Sequence, residues 1–272
     1  MRHLRRTLVL AILPISSLVW PVAWAQPSPV ITLVANAEGE NPTIAPNTWV
    51  EIKGSNLAPT GVSSPDCAPG YCWQASDFVN GQMPVKLHGV NVTVNGKAAY
   101  IYYISPTQVN ILTPPDTIQG PVTVQLANNV NFSPAYTVQE QTLSPSFFEF
   151  NGGPYVAATH VGGALLGPPS LYAGLTTPAK PGETVVLYAN GFGQTSVPVV
   201  AGSSTQSGSL SPLPVITIGG IKATVQFAGL VAPGEFQFNV VVPANAPNGD
   251  QPITATYNGL ATQTGTLITI QH

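Results

Sequence analysis

Two stretches of the chain are alike and indicate its fold: residues 45–57, APNTWVEIKGSNL, and residues 180–193, KPGETVVLYANGFG. Each starts with a proline-led turn, continues as an alternating strand and ends in a turn of small residues followed by an apolar residue. Alternation of apolar and polar residues is typical of a strand with one buried and one solvated face. The repeat predicts two similar β-rich units in one chain.

The similarity resumes further along each unit. Residues 92–99 (VTVNGKAA) correspond to residues 216–223 (ITIGGIKA). Both patterns predict a hairpin closed by a two-residue turn, Asn95-Gly96 in one unit and Gly219-Gly220 in the other. Both central residues of such a turn adopt positive φ, which glycine and asparagine tolerate best.

With roughly 100 residues and about seven short strands per unit, the sequence predicts an all-β protein of two tandem immunoglobulin-like β-sandwich domains. A single large jelly roll is the alternative, which the repeat disfavours. We place the domains at residues 26–140 and 141–272. Residues 140–177 join the units, and the phenylalanines between residues 147 and 150 assign this segment to the second domain, because a loose linker would expose too much apolar surface.

Charge is scarce in this chain. Only 7% of its 272 residues are Asp, Glu, Lys or Arg, against about 25% in an average soluble domain. The three arginines all lie within the first six residues, so the rest of the chain is net acidic. A nucleic-acid binder needs clustered lysine and arginine to neutralise phosphates, so this composition excludes that class.

The N-terminus has the three parts of a secretory signal. The arginine-rich start precedes an apolar run over residues 8–22 and then Ala23-Trp24-Ala25, which has small residues where signal peptidase reads them. We expect residues 1–25 to be a signal peptide cleaved after Ala25. A retained N-terminal anchor is the alternative, disfavoured by the short apolar run and its two prolines. No later segment is apolar enough to span a membrane, so we expect a secreted protein or one at the outer cell surface.

Two cysteines, Cys67 and Cys72, flank a short loop that contains Pro69-Gly70. In an oxidising compartment they are expected to form a structural disulfide across this turn. A metal site would need more ligands, and a redox centre more usually has the Cys-x-x-Cys spacing. We favour the structural disulfide over both alternatives.

Each unit resembles an IPT/TIG domain, an immunoglobulin-like module. In the second unit the resemblance rests on Pro181-Gly182, on residues 190–193 (NGFG) and on Val242-Pro243, and in the first unit on residues 54–57 (GSNL). The first unit departs from the pattern at Asn47, where the family usually has glycine. The resemblance implies an immunoglobulin-like fold for each half.

From about Ile31 to its end, the chain also resembles the Solibacter uncharacterised C-terminal domain family of secreted bacterial proteins. The matching stretches are residues 73–78 (WQASDF), 102–110 (YYISPTQVN) and 225–230 (VQFAGL). This resemblance implies an exported protein and brings no assigned activity. Members of the family often stand behind larger extracellular modules.

The sequence contains no recognisable catalytic arrangement. Outside the signal peptide and the last residue, its histidines are His88 and His160, and no Gly-x-Ser-x-Gly motif accompanies them. It also lacks a phosphate-binding loop, a dinucleotide fingerprint, zinc spacing and an EF-hand loop. We therefore predict a protein that is not an enzyme, with no catalytic residue, metal or cofactor.

Scattered acidic residues leave two further interpretations open. A glycoside- or polysaccharide-active enzyme would need two carboxylates facing each other, and no such pair is recognisable. Asp77 and Asp250 lie beside turns, where we expect each side chain to bond its own backbone. Calcium bound by loop carbonyls with Asp66 or Asp77 is a possibility that no sequence pattern supports.

Aromatic residues are concentrated in the first unit and suggest a binding surface. The predicted ligand-binding residues are Tyr71, Trp73, Tyr102 and Tyr103, with Trp49 and Tyr100 nearby. Exposed aromatic rings can stack on sugar rings while neighbouring amides bond sugar hydroxyls. The alternative, which we favour, is that Trp49 and Trp73 are core or rim packing residues.

The sequence therefore predicts a non-catalytic secreted or cell-surface module with a binding, adhesive or structural role. An extracellular polysaccharide or an envelope protein is the expected partner. A carbohydrate-binding accessory protein is the alternative. The pairs Gln108/Asn110 and Gln237/Asn239 recur in both units, and we assign them a shared structural role, such as an amide bonding a loop backbone.

Overall fold

The computed structural model describes residues 27–272, so the predicted signal peptide lies outside the described residues. Over this range the chain consists of β-strands, turns and two short 3-10 helices, Ala75–Asp77 and Phe150–Gly152. No helix within this range is long and apolar enough to cross a membrane. The prediction of an all-β protein is confirmed.

Residues 27–140, which we term the N-terminal half, contain eleven strands. In chain order these are β1 (Val30–Asn36), β2 (Thr43–Ile44), β3 (Trp49–Ser55), β4 (Tyr71–Cys72), β5 (Val90–Val94), β6 (Lys97–Ala98), β7 (Tyr100–Ile104), β8 (Gln108–Leu112), β9 (Gly120–Asn128), β10 (Asn131–Phe132) and β11 (Tyr136–Glu140). Five form a first sheet in the order β1-β3-β8-β7-β4. The other six form a second sheet in the order β2-β11-β9-β5-β6, with β10 paired to β9.

Residues 141–272, the C-terminal half, contain thirteen strands. These are β12 (Ser146–Phe147), β13 (Ala158–His160), β14 (Leu165–Leu166), β15 (Thr176–Thr177), β16 (Thr184–Asn190), β17 (Gly208–Ser209), β18 (Val215–Ile218), β19 (Ile221–Lys222), β20 (Thr224–Ala232), β21 (Glu235–Val241), β22 (Gly249–Tyr257), β23 (Leu260–Ala261) and β24 (Leu267–Ile270). The third sheet has the order β15-β14-β13-β16-β21-β20-β17, with β12 on β16. The fourth has the order β19-β18-β22-β23, with β24 on β22.

Both halves use the same strand pairing. In the N-terminal half β3, β8 and β7 are neighbours, and in the C-terminal half β16, β21 and β20 are neighbours in the same way. Likewise β5 pairs with β9, and β18 with β22. The predicted hairpin turns have positive φ at both positions, 49° and 78° at Asn95-Gly96 and 59° and 77° at Gly219-Gly220. The repeat in sequence is thus a repeat of sheet topology.

Each half buries a hydrophobic cluster to which both of its sheets contribute. In the N-terminal half the buried side chains include Val50, Ile111, Val92 and Val124, and in the C-terminal half they include Val185, Phe238, Ile216 and Ala255. Burial of every second residue, as along β5, follows from the two-residue period of a strand. Each pair of sheets therefore packs face to face as a β-sandwich. The exact domain limits stay a prediction.

A buried polar network joins the two halves. Asn36, the last residue of β1, donates through Nδ2 to the carbonyl oxygen of Ser144 at 2.6 Å. Its Oδ1 accepts from Ser146 Oγ at 2.8 Å and from Asn190 Nδ2 at 3.2 Å. Phe147, in the segment that we assigned to the second unit, is fully buried, and β12 pairs with β16. Hydrogen bonds between buried side chains have demanding geometry, so this network holds the two halves in one arrangement, although Asn190 Oδ1 has no partner among the described residues.

Candidate functional site

Four half-buried aromatic rings meet on the first sheet, and we term Trp49, Trp73, Phe78 and Tyr102 the aromatic cluster. Trp73 is central, with ring centroids 5.7 Å from Trp49, 5.0 Å from Phe78 and 5.1 Å from Tyr102. The planes meet at 69°, 62° and 76°, so ring edges pack against ring faces. The rings form a mutually packed group rather than a row of parallel plates.

Backbone geometry brings Trp73 and Tyr102 together. Trp73 directly follows the edge strand β4, and its backbone N–H donates to the carbonyl oxygen of Tyr102 in β7 at 2.8 Å. The 3-10 helix before Phe78 is fixed by Asp77, whose Oδ2 accepts from the backbone N–H of Gln74 at 2.7 Å. The Asp77 side chain was expected to bond its own backbone; it bonds local backbone, at Gln74 three residues earlier. A backbone hydrogen bond therefore holds Trp73 beside Tyr102.

The other two predicted ligand-binding residues lie apart from the aromatic cluster. Tyr71 donates its hydroxyl to Asp77 Oδ2 at 2.9 Å, and its ring centroid is 4.3 Å from that of His88. Tyr103 lies opposite Cys72 in the β4–β7 pair, against Gly70 in the disulfide loop. No ring contact within residues 27–272 joins Tyr71 or Tyr103 to the cluster. Of the four predicted residues, the structure brings together Trp73 and Tyr102.

The disulfide loop beside these tyrosines has the predicted covalent bond. Cys67 and Cys72 are disulfide-bonded, with their Cα atoms 5.7 Å apart. The loop is closed further by two backbone bonds, from Ser64 N–H to the Gly70 carbonyl at 3.0 Å and from Gly70 N–H to the Cys67 carbonyl at 2.8 Å. The structural-disulfide prediction is confirmed.

Trp49 also belongs to the contact between the halves. Its indole Nε1 donates to the carbonyl oxygen of Pro233 at 2.9 Å, in the turn between β20 and β21. The next residue, Gly234, approaches so closely that an added Cβ would lie 3.0 Å from Trp49 Nε1. Trp49 is thus a packing residue of the junction, in line with the alternative we favoured for it.

The recurring amide pairs adopt the same geometry in both halves. Gln108 Nε2 donates to Asn110 Oδ1 at 2.8 Å, and Gln237 Nε2 donates to Asn239 Oδ1 at 2.8 Å. All four side chains are half-buried on the central strands β8 and β21. The shared geometry fits a structural role, but the bond runs between side chains rather than to a loop backbone. Alternate residues of a strand share a face, which brings the two amides together.

An open cleft lies between the two halves, and we term it the interhalf cleft. Its volume is about 950 Å³. Its N-terminal side includes Asn47 and the segment 115–119, and its C-terminal side includes the segment 192–195 and the β22–β23 turn near Leu260. No sequence motif marks these residues as a site, because they come from loops distant in the chain.

One carboxylate in the cleft wall belongs to a group of three charged residues, Asp116, Lys97 and Glu140. Asp116 Oδ2 lies 3.2 Å from Lys97 Nζ, and the Asp116 side chain is only 6% exposed. Glu140 interacts electrostatically with both. Burial, reinforced by the charge of Asp116 and opposed by Lys97, raises the pKa of Glu140 to about 7. Asp116 lines the cleft and Glu140 does not, so these two carboxyl groups do not face the cleft as a pair.

A second carboxyl group is perturbed where the halves meet. Glu38, in the turn after β1, accepts through Oε2 from the backbone N–H of Glu149 at 3.2 Å. The pKa of Glu38 is raised to about 8, mainly by burial. The Glu149 N–H lowers this pKa, and the carboxylates of Glu149 and Glu51 raise it. Glu149 accepts from Thr266 Oγ1 at 2.7 Å. Glu38 is therefore protonated at neutral pH.

His160 lies between a hydroxyl group and a carboxylate. Its Nε2 is 2.9 Å from Thr177 Oγ1 and its Nδ1 is 3.2 Å from Glu183 Oε1. This order of groups is the one used by hydrolases with a nucleophilic hydroxyl. However, Nε2 is also 3.1 Å from the carbonyl oxygen of Thr177. In the tautomer with a proton on Nε2, this nitrogen donates to that carbonyl oxygen instead of accepting from the Thr177 hydroxyl. His88 is exposed and packs against Tyr71.

The remaining acidic residues show no metal site in the described part of the chain. Within residues 27–272 no group of three or more His, Cys, Asp or Glu side chains is placed to hold a metal ion. Asp250 was expected to bond its own turn. Instead it accepts from Tyr155 Oη at 2.9 Å and Thr269 Oγ1 at 2.6 Å, because β22 pairs with β24 and brings Thr269 beside it.

Comparison with known proteins identifies no family. No family model and no curated protein sequence matches the chain. Among solved structures it is similar to the extracellular region of plexin A4, with 13% identity and a TM-score of 0.30 over 95% of this chain and 20% of that one. It is also similar to SGBP-B of a Bacteroides ovatus mixed-linkage glucan utilization locus, solved with a mixed-linkage heptasaccharide, with 11% identity and a TM-score of 0.33 over 85% of this chain and 43% of that one.

A third similar structure is the adhesin InvE of Yersinia pseudotuberculosis, with 11% identity and a TM-score of 0.23 over 90% of this chain and 59% of that one. The chain spans less than two thirds of each of these three proteins. Similarities at these identities and TM-scores do not establish a shared function.

Proposed function

We propose that this chain is a non-catalytic extracellular module that binds neutral carbohydrate through the aromatic cluster. The observation that carries the proposal is the pair of half-buried rings Trp73 and Tyr102, whose centroids lie 5.1 Å apart on the first sheet. Pyranose rings present apolar C–H faces, which aromatic side chains contact favourably. On the strand next to Tyr102, the amides of Gln108 and Asn110 can donate to and accept from hydroxyl groups.

The low charge of the chain supports an uncharged ligand. With 7% charged residues, the protein has few fixed charges with which to attract an anionic or cationic partner. The Cys67–Cys72 disulfide supports an oxidising, extracellular compartment, because disulfides are rare in the reducing cytosol. Both observations fit the secreted or cell-surface location expected from the N-terminal sequence.

The proposal is tested with residues 26–272 on an array of neutral and charged polysaccharides. We expect saturable binding to a neutral polysaccharide and a loss of about ten-fold or more in the Trp73→Ala variant. Phe132→Ala is the matched control, because Phe132 is an aromatic residue of the same half that is 59% exposed and outside the cluster. Equal binding by folded Trp73→Ala and wild type would overturn the proposal and favour an adhesive or structural role with an envelope protein as partner.

A second candidate function, a polysaccharide-active hydrolase, is favoured by the contacts of His160 with Thr177 and Glu183. In such an enzyme the Thr177 hydroxyl would attack an acetyl ester, and His160 would accept the hydroxyl proton and pass it to the departing sugar oxygen. Water would then hydrolyse the acetyl-threonine and release acetate. Hydrolysis of acetylated polysaccharide by the wild type, abolished in both Thr177→Ala and His160→Ala, would establish this function in place of the first. Equal background rates in all three proteins would exclude it.

A further inference from the structure

We propose that the interhalf cleft is a second binding site, and that its ligand is a neutral oligosaccharide. This inference does not depend on the aromatic cluster, because the residues that line the cleft are not members of that cluster. At about 950 Å³ the cleft lies within the usual range for ligand sites, about 300–1,000 Å³. It is bounded by both sandwiches, and ligand sites occur preferentially at such domain interfaces.

Amide groups in the lining are available to a ligand. Gln119 and Gln194 lie on opposite sides of the cleft, and both are exposed. Within residues 27–272 neither side-chain amide has a hydrogen-bond partner. Each amide offers two donors and an acceptor, which matches the adjacent hydroxyl groups of a sugar. A ligand that contacts both would bridge the two halves.

Asn47 adds a buried acceptor without a donor. It is 9% exposed, and its Nδ2 is already committed to Gln206 Oε1 at 2.8 Å. Its Oδ1 has no hydrogen-bond partner among the described residues. A buried carbonyl oxygen that accepts no hydrogen bond lowers the stability of the folded state by about 1–3 kcal/mol. Native structures therefore usually supply a donor from water or a ligand. This oxygen is itself enclosed by protein atoms, so the amides that a sugar in the cleft can reach directly are those of Gln119 and Gln194.

Apart from Asp116, the rest of the lining consists of apolar and neutral polar side chains. Leu260 and Val197 are 38% and 50% exposed, and Pro198 lies next to Val197. These side chains suit the C–H faces of a sugar. Asp116 is paired with Lys97 at 3.2 Å, so its charge is neutralised. The lining therefore favours an uncharged polar ligand over an anion or a cation.

The cleft is formed before any ligand arrives. The Asn36 network fixes the angle between the halves. The segment that forms the N-terminal wall is tied down by Thr113, whose Oγ1 donates to the Ala45 carbonyl at 2.6 Å. A preformed site loses less conformational entropy on binding than a flexible one.

The test is calorimetric titration of residues 26–272 with three neutral oligosaccharides, maltohexaose, cellohexaose and mannohexaose. We expect at least one to bind and the Gln119→Ala/Gln194→Ala double variant to weaken binding about ten-fold, as the loss of two neutral hydrogen bonds implies. Gln139→Ala is the matched control, because Gln139 is an exposed glutamine on β11 outside the cleft lining. This control is expected to leave the affinity unchanged.

Three results would overturn the inference. No binding of any of the three sugars would exclude this ligand class, while the polysaccharide array would still decide the role of the aromatic cluster. Binding that is lost in Trp73→Ala but unchanged in the double variant would place the site on the aromatic cluster alone. The third result concerns a protein ligand and comes from a parallel titration with an uncharged proline-rich peptide. If the peptide binds and the double variant abolishes this binding, the cleft is a site for a protein partner.

Discussion

Asn36 and Asn190 are 154 positions apart in the sequence, yet Nδ2 of Asn190 donates to Oδ1 of Asn36 at 3.2 Å in the buried contact between the two halves. Replacing Asn36 by Ala would leave the Asn190 amide and the Ser146 hydroxyl short of a partner. We expect the free energy of unfolding to fall by about 3 kcal/mol, measured by urea denaturation. Asn91→Ala, at a half-buried position of β5, is the control and should cost about 0.5 kcal/mol. A loss below about 1 kcal/mol in Asn36→Ala would show that the network does not hold the halves together.

Gly191 and Gly220 both have φ of 77°, but their surroundings differ. A Cβ at Gly191 would clash with the backbone carbonyl of Ser144, whereas nothing lies within 4 Å of a Cβ at Gly220. Gly220→Ala should therefore cost about 1 kcal/mol, from backbone conformation alone. Gly191→Ala should cost more than about 3 kcal/mol or prevent folding. Equal thermal unfolding temperatures for the two variants would contradict the close approach of Gly191 to Ser144.

Glu38 should make the protein less stable as pH rises. Its pKa is about 8 in the folded protein, against 4.5 for an ordinary glutamate. The folded state therefore holds a proton that the unfolded state has released, and the free energy of unfolding falls between about pH 5 and about pH 8. Glu38→Gln should flatten this decline, measured by urea denaturation at several pH values. A smaller decline up to about pH 7 should remain, from Glu140. An unchanged pH profile in Glu38→Gln would argue against burial of this carboxyl group.

The disulfide should contribute stability without shaping the aromatic cluster. Replacing Cys67 and Cys72 together by Ser opens a loop with a sequence separation of 5 residues. Short loops of this kind contribute about 2 kcal/mol through the entropy of the unfolded chain. We expect that loss in thermal unfolding, with tryptophan fluorescence of the native state unchanged. A shifted native emission spectrum would show that the loop also positions Trp73.

Trp49→Phe separates the junction role of Trp49 from ligand binding. The variant keeps an aromatic ring but removes the Nε1 donor to Pro233. We expect a loss of about 1–2 kcal/mol in stability, since the Pro233 carbonyl is left without this donor. Carbohydrate affinity should stay within about two-fold of the wild type. A loss of affinity as large as in Trp73→Ala would place Trp49 in the contact surface.

Local sequence was sufficient to predict the structural features that depend on residues close together in the chain. Backbone conformation depends mainly on each residue and its immediate neighbours. This local dependence explains the alternation along β3 and β16 and the positive φ values of the Asn95-Gly96 and Gly219-Gly220 turns. The Cys67–Cys72 pair is equally local. These features predicted the all-β fold, the repeated topology and the disulfide.

Tertiary structure decided which side chains share a surface. Sequence grouped Tyr71, Trp73, Tyr102 and Tyr103, but strand register joins Trp73 to Tyr102 and turns the other two towards His88 and Gly70. The interhalf cleft and the Asn36 network went unpredicted, because they arise from contacts between residues more than 100 positions apart. The amino-acid sequence alone determined the strands and their turns, since these follow from local backbone preferences. The way the two sandwiches dock, and with it the interhalf cleft, was decided by long-range packing, which leaves no periodic signal in the sequence.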